Sequence, residues 1–425
     1  MLRSSLKVTA LSLIGSFLGL LVQLLMAQKY GIGVQVDTYL YAISTPTFVA
    51  GSLAALLSYT VVPQMAQQTD LPEQNRFIVS LLALALCISL IILLLTPALS
   101  YIQKQLLPEN SPIRHENNLL LLLFIGWSIA AVQIVLAAHC TIITGLNRAT
   151  VATALNLGPY LGMIIFMITM KASGTEQLAY GLLAGTTTSL FIGLFILSRR
   201  VFGHWRMAAW AQVRDLVVLS PFTMVATSCF SIYAVIDSYW ATRAGDGVLA
   251  SLGYSQRITI AIGNLAVVAP SAILVPKFSA LVSKGIGDEF DKMLKKTLAI
   301  TSAIGFTLAV GIYIGAVPLI ELLFMRGAFD QNDVDRVAVI LQFCLPGMSF
   351  SLLSVISLRI LFCFPNIEKI AALLGILWCA TYFFLSSMLY HLNGKGLAIA
   401  YSLTWTIYFF IVAYFLKIKQ KKFTQ

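Results

Sequence analysis

Residues 81–95, 119–138 and 401–415 form long apolar runs without a single charged side chain. The hydrocarbon core of a bilayer is crossed by about 20 apolar residues in a helix. Only a helix or a closed barrel satisfies its own backbone there. The whole chain shares this bias, with 59% of its 425 residues hydrophobic and 11% charged. A soluble domain carries roughly 45–50% apolar and about 25% charged residues. The chain lacks the polar side chains to cover a water-facing surface of its size and reads as an all-α polytopic membrane protein.

Twelve spans are expected by the length rule: 8–28, 37–66, 76–103, 118–145, 150–170, 177–198, 215–242, 248–280, 297–325, 335–364, 368–390 and 396–416. The first follows Arg3 and Lys7 as a signal peptide would, yet its apolar stretch is too long for one and leads into eleven more. It reads as an uncleaved helix. Twelve spans put both termini on one side. Segments on that side hold 18 of the 28 Lys and Arg, opposite segments hold eight, and Arg257 and Arg359 fall within spans. Basic residues collect in cytoplasmic loops, so both termini are expected in the cytoplasm. The same rule accounts for the net charge of +11 without a nucleic-acid partner. The six cysteines all lie in apolar stretches, with no CxxC pair and no His at ligand spacing. They read as small buried side chains, with no disulfide framework and no metal site.

The chain also repeats itself. Ala27, Gly31, Gly33 and Val34 recur 214 residues later as Ala241, Gly245, Gly247 and Val248, and Val62-Pro63 recurs as Val275-Pro276. The repeat starts at spans one and seven in the same orientation, which predicts two pseudo-symmetric six-helix halves. The halves are 1–198 and 215–425, joined by a basic cytoplasmic linker, 199–214. Transporters built this way bind cargo between the halves and rock one against the other. The longest outer loop, 104–117, is too short for a folded catalytic domain.

Charges inside the membrane are costly and are functional candidates by default. Arg257 lies about ten residues into span eight, within Tyr254-Ser255-Gln256-Arg257. Its guanidinium keeps its charge and presents a fork of donors suited to phosphate oxygens. It is a candidate anion-binding group, or one member of an internal ion pair with Asp237. Asp237, late in span seven, suits Na⁺ or a proton and so coupling to an ion gradient, or pairing with Arg257 or Arg243. Thr404 in span twelve is a candidate further hydroxyl ligand. Glu321 suits a loop-facing carboxylate and Arg359 a side chain reaching the cytoplasmic headgroups. His139 suits a helix–helix contact. Asp37 follows Gly31-x-Gly33 and reads as either an N-cap or a functional acid. Gly15 and Gly19 make a GxxxG-like contact. Pro46, Pro63, Pro270 and Pro276 can bend their helices, and Pro63 and Pro276, with Gly31 and Gly245, are the candidate gating elements.

These residues resemble a known family. Tyr30-Gly31-Ile32-Gly33, Asp37-Thr38-Tyr39 and the closing Val62-Pro63 are similar to the MurJ/MviN lipid II flippases. So are Tyr254-Ser255-Gln256-Arg257 through Leu274-Val275-Pro276, and Leu323-Phe324-Met325-Arg326-Gly327-Ala328-Phe329-Asp330, which matches the family's "RGAF" turn. The resemblance runs in order over nearly the whole chain. It implies the fold of the multidrug/oligosaccharidyl-lipid/polysaccharide exporter superfamily and movement of undecaprenyl-pyrophosphate-linked glycans between leaflets by alternating access. It places the family's cavity arginine of helix eight on Arg257 and its acid before helix two on Asp37. Family arginines of helices one and two fall on Ser16, Val22 and Val49–Ala50, and Ser16 joins the substrate-binding candidates on that correspondence. Asp237 matches the helix-seven acid of a family sodium site, but span eleven offers no carboxylate beyond Glu368. Helices thirteen and fourteen of the family have no counterpart here.

The expected function is a flippase of lipid II or a related lipid-linked oligosaccharide, with no enzymatic chemistry. Na⁺, H⁺ or the membrane potential is expected to drive it, and its partners are the glycolipid and membrane lipids. One arginine holds a diphosphate less strongly than four, so capsule, O-antigen and exopolysaccharide precursors stay open as cargo. A cation-coupled drug exporter of the same superfamily and a membrane enzyme acting on polyprenyl-phosphate sugars are the alternatives.

Overall fold

The computed structural model describes residues 2–67, 70–170, 174–201, 213–214, 224–225, 228–364 and 367–424, and every regular element among them is helical. The first eight helices are α1 (Leu2–Tyr30), α2 (Val34–Gln67), α3 (Leu71–Gln105), the short α4 (Pro112–His115), α5 (Leu119–Gly145), α6 (Ala149–Leu155), α7 (Gly158–Thr169) and α8 (Glu176–Val201). After the largely undescribed linker region come α9 (Tyr233–Ala244), α10 (Val248–Lys284), α11 (Gly287–Ile314), α12 (Ala316–Phe324), α13 (Gln331–Leu361), α14 (Glu368–Leu389) and α15 (Asn393–Thr424). Residues 202–212 of the expected linker lie outside the described residues.

Nine stretches among the described residues are long and apolar enough to cross a membrane. The last, Lys369–Gln420, contains both α14 and α15, so the nine hold ten of the twelve expected spans. The other two are spans seven and eight. Residues 215–223 of the seventh lie outside the described residues, as do the side chains at 264–273 of the eighth. Two expected spans are broken. The fifth divides at Asn156 and Leu157 into α6 and α7, and Pro159 sits in the first turn of α7, where its missing amide hydrogen costs no helical bond. The ninth divides at Gly315 into α11 and α12.

By their contacts the residues form two compact units, one of Met1–Met26 with Gly33–Thr242 and one of Ala27–Ile32 with Arg243–Gln425. In the first, α5 is the central helix and packs on α2, α3 and α8. Its sequence is apolar nearly all round, as a helix with neighbours on every side must be. A polar clip pins three of these helices together. The Gln103 amide donates to the Tyr41 carbonyl (2.9 Å), the Tyr41 hydroxyl to the Gln103 carbonyl (2.6 Å) and the Trp127 indole to Gln103 Oε1 (3.1 Å). Helices α7 and α8 meet through small residues, because between apolar helices in lipid close backbone approach replaces the hydrophobic effect as the source of attraction. A Cβ on Gly181 would stand 2.8 Å from the Gly162 carbonyl oxygen, and one on Gly185 would run into the Gly158 carbonyl.

In the second unit α13 packs against α10, α11 and α15. Pro346 interrupts the hydrogen-bond ladder of α13, and a neighbouring side chain repairs it. Ser402 Oγ on α15 accepts from the Gly347 amide (2.9 Å) and donates to the Phe343 carbonyl (2.5 Å), standing between two groups that a regular helix would join. Ser402→Ala leaves both groups facing apolar surroundings, at a cost of about 1–3 kcal/mol. The expected result is a lowered thermal midpoint of the purified protein with unchanged helix content; an unchanged midpoint would show that the break needs no such repair.

Candidate functional site

The repeat seen in the sequence reappears in the boundaries of the helices. Helix α1 ends at Tyr30 and α2 begins at Val34; α9 ends at Ala244 and α10 begins at Val248, the same offset of 214. In each turn a glycine backbone has positive φ, +62° at Gly31 and +73° at Gly247. The amides of Asp37 and Ser251, at equivalent positions, bond Gly33 and Gly247 with the same 3.0 Å separation.

Asp37 is therefore not the N-cap of α2. It lies in the first helical turn, where a carboxylate is stabilised by the unsatisfied N–H groups of the helix start, and it is 1% exposed. Asp237 is likewise buried, on α9. Both carboxylates belong to the first unit, and their helices touch where the Ser44 hydroxyl meets the Ser238 hydroxyl at 3.0 Å. Ser44 lies two turns beyond Asp37 on the same face of α2, so the two buried acids stand on adjoining helices, with Asp37 about 10 Å along α2 from the contact. Ser16, on α1, is half-buried.

The remaining candidates lie in the second unit. Arg257 is half-buried on α10, about 14 Å from the start of that helix. Among the described residues no hydrogen bond or ion pair engages its guanidinium, whereas its helix neighbours Ser255 and Thr259 bond backbone carbonyls. Thr404 is fully buried and donates to the Ala400 carbonyl of its own helix at 2.7 Å. Pro276 is exposed within a continuous α10; Pro63 lies within α2. Gly245 is exposed and lines a cavity of about 490 Å³ with Asp246, Asp335, Arg336, Asn393 and Lys395, in which Arg336 donates to the Asp246 carbonyl at 3.3 Å. Arg257 does not line that cavity. Glu321 faces the loop, accepting from the Gln331 amide at 3.1 Å, and Arg359 is exposed. His139 is buried and its Nδ1 bonds the Val135 carbonyl at 2.8 Å, as a helix-packing histidine would.

Each residue of the Arg326–Asp330 turn has a distinct job. Arg326 bonds the Leu322 carbonyl near the end of α12. Gly327 adopts φ +64°, and a Cβ there would run into the Gln28 carbonyl. The Ala328 amide donates to that same carbonyl at 2.8 Å. Phe329 is buried against Tyr254 and Phe324, with ring centroids 5.8 and 5.7 Å away. Asp330 caps α13 by accepting from the Asp333 amide at 2.9 Å.

Sequence reading missed three features. The GxxxG pairs Gly158/Gly162 and Gly181/Gly185 were visible as spacing. The Ser402 repair of α13 was signalled only by Pro346. The capping of the α1 terminus by Tyr254 had no local signal, because the two are 223 residues apart.

Compared with known proteins, the sequence matches the family described as lipid II flippase MurJ over residues 26–425. The chain belongs to the MurJ family. A probable lipid II flippase MurJ of Bdellovibrio bacteriovorus is 24% identical over 169 residues, 39% of this chain and 32% of that protein, so the alignment spans about a third of that relative's length. Among solved structures, a lipid II flippase MurJ in an inward closed conformation has a TM-score of 0.76 at 19% identity, covering 98% of this chain and 89% of the other. An inward-facing multidrug resistance MATE transporter of the MOP superfamily has a TM-score of 0.77 at 14% identity, covering 95% of this chain and 98% of the other. At these identities both likenesses establish the shared fold, which MurJ and MATE proteins have in common.

Proposed function

We propose that the chain moves lipid II across a bacterial inner membrane, from the inner to the outer leaflet, by alternating access and without catalysis of its own. The family match over residues 26–425 carries the reading. Both termini are assigned to the cytoplasm by the excess of Lys and Arg in the segments on their side. Arg257 is the diphosphate ligand: a half-buried guanidinium with no partner among the described residues suits an incoming anion. Ser16 lines the path, Asp37 belongs to the outer gate, and Pro63, Pro276, Gly31 and Gly245 mark the paired gating helices. Asp237 is the cation- or proton-coupling group, and Thr404 is a candidate hydroxyl ligand.

The test is native mass spectrometry of the gently purified protein. A co-purifying lipid II mass supports the assignment. A different undecaprenyl-pyrophosphate oligosaccharide moves the protein to polysaccharide export, and bulk phospholipid alone favours a MATE-like exporter, whose fold it shares. For the coupling role, Asp237→Asn is expected to weaken the dependence of transport on the driving gradient on the order of tenfold. The measurement is lipid II translocation in proteoliposomes with and without imposed Na⁺, proton and voltage gradients. An undiminished gradient response would remove Asp237 from the coupling mechanism.

A further inference from the structure

The end of α1 is docked in an unusual place. By sequence Ala27–Ile32 belongs to the first repeat, but by contact it belongs to the second unit. The last carbonyls of a helix have no partner within it. In many helices the residues just downstream satisfy them. Here two of those at the end of α1 are satisfied from far along the chain. The Gln28 carbonyl accepts from the Ala328 amide at 2.8 Å, and the Gly31 carbonyl accepts from the Tyr254 hydroxyl at 3.0 Å. The Asp333 carboxylate lies against the same segment, with Oδ2 3.3 Å from where a Cβ on Gly31 would stand.

The fit is backbone against backbone. Gly31 and Gly327 both have positive φ, and a Cβ on Gly31 would stand 2.6 Å from the Ala328 carbonyl oxygen. Tyr254 is held in place by its ring contacts with Phe324 and Phe329, at 5.3 and 5.8 Å. The seat is thus a rigid aromatic-backed turn, while the docked segment contributes chiefly main-chain groups. Such a joint closes in one geometry and parts by breaking a few hydrogen bonds without exposing a large apolar surface.

We propose that the Arg326–Asp333 turn is a releasable seat for the Ala27–Ile32 strap, with Tyr254, Gly31 and Gly327 as positioning residues, and that the strap leaves it in every transport cycle. The inference rests on the alternating-access reading above, under which the strap lies at the outer face. A carrier of that kind must break whatever ties its first repeat to its second there.

The experiment uses the Gln28→Cys/Ala328→Cys double variant of the full chain in proteoliposomes, with each single variant as control and the 28–328 disulfide quantified by peptide mass. Oxidation is expected to form the disulfide and lower lipid II transport at least tenfold, and reduction to restore the rate of the unoxidised double variant. A complete disulfide with undiminished transport overturns the proposal, as does failure of the folded pair to cross-link. A second readout does not depend on cargo. Tyr254→Phe keeps the ring packing and removes the hydroxyl, and in an Ala27→Cys background, at a position fully buried while the strap is docked, it is expected to raise labelling by a membrane-impermeant maleimide several-fold. Unchanged labelling overturns the proposal too. If the wild-type chain does not move lipid II, the substrate assignment falls, and cross-link yield and labelling still decide the strap.

Discussion

Arg257→Ala is expected to lower lipid II transport by about 10- to 100-fold, with protein level and helix content unchanged. The size follows from the loss of a charge-assisted hydrogen bond worth about 1.5–3 kcal/mol, each 1.4 kcal/mol being a factor of ten. Ser16, Val22, Val49 and Ala50 are uncharged, so those positions supply no second guanidinium. Arg257→Lys is expected to recover only part of the rate, because an ammonium keeps the charge but loses the planar fork that grips two phosphate oxygens at once. The measurement is translocation of labelled lipid II in proteoliposomes for the three proteins at matched reconstitution. Equal rates would remove Arg257 from the substrate path.

The second large effect is on stability. Gly185→Leu is expected to cost on the order of 3 kcal/mol, since even a Cβ at that position meets the Gly158 carbonyl and the α-carbon of Pro159. Those contacts are backbone atoms and cannot swing aside, so α7 and α8 must separate. Separation forfeits the close approach that holds apolar helices together in lipid. Gly311→Leu is the control, because nothing lies within 4 Å of a Cβ there. The expected outcome is a sharply lower thermal midpoint and poor membrane yield for the first and near-normal behaviour for the second. Matched midpoints would mean that the glycine contact does not hold the pair.

Much of the candidate site was legible because its signals are local. Arg257 was singled out as a candidate by its charge inside an apolar run, the two glycine turns by a fixed offset, and the Arg326–Asp330 turn by its motif. Other features were ambiguous in one dimension. Asp37 had the look of an N-cap, and a shift of a few residues in the start of α2 turned it into a buried first-turn acid. Asp237 and Asp37 are 200 residues apart, and only the Ser44–Ser238 contact reveals that their helices adjoin.

The amino-acid sequence by itself determined the solvent this protein folds in, its all-helical architecture, its internal repeat and its family. Each of these depends on composition or on spacing along the chain, which folding does not alter. The tertiary structure alone decided where helix ends find their hydrogen-bond partners. The strap at Ala27–Ile32 is capped by Tyr254 and Ala328, and the gap at Pro346 is filled by Ser402. In a medium without water every such orphaned group must be met by protein, and which residue meets it depends on how the helices pack.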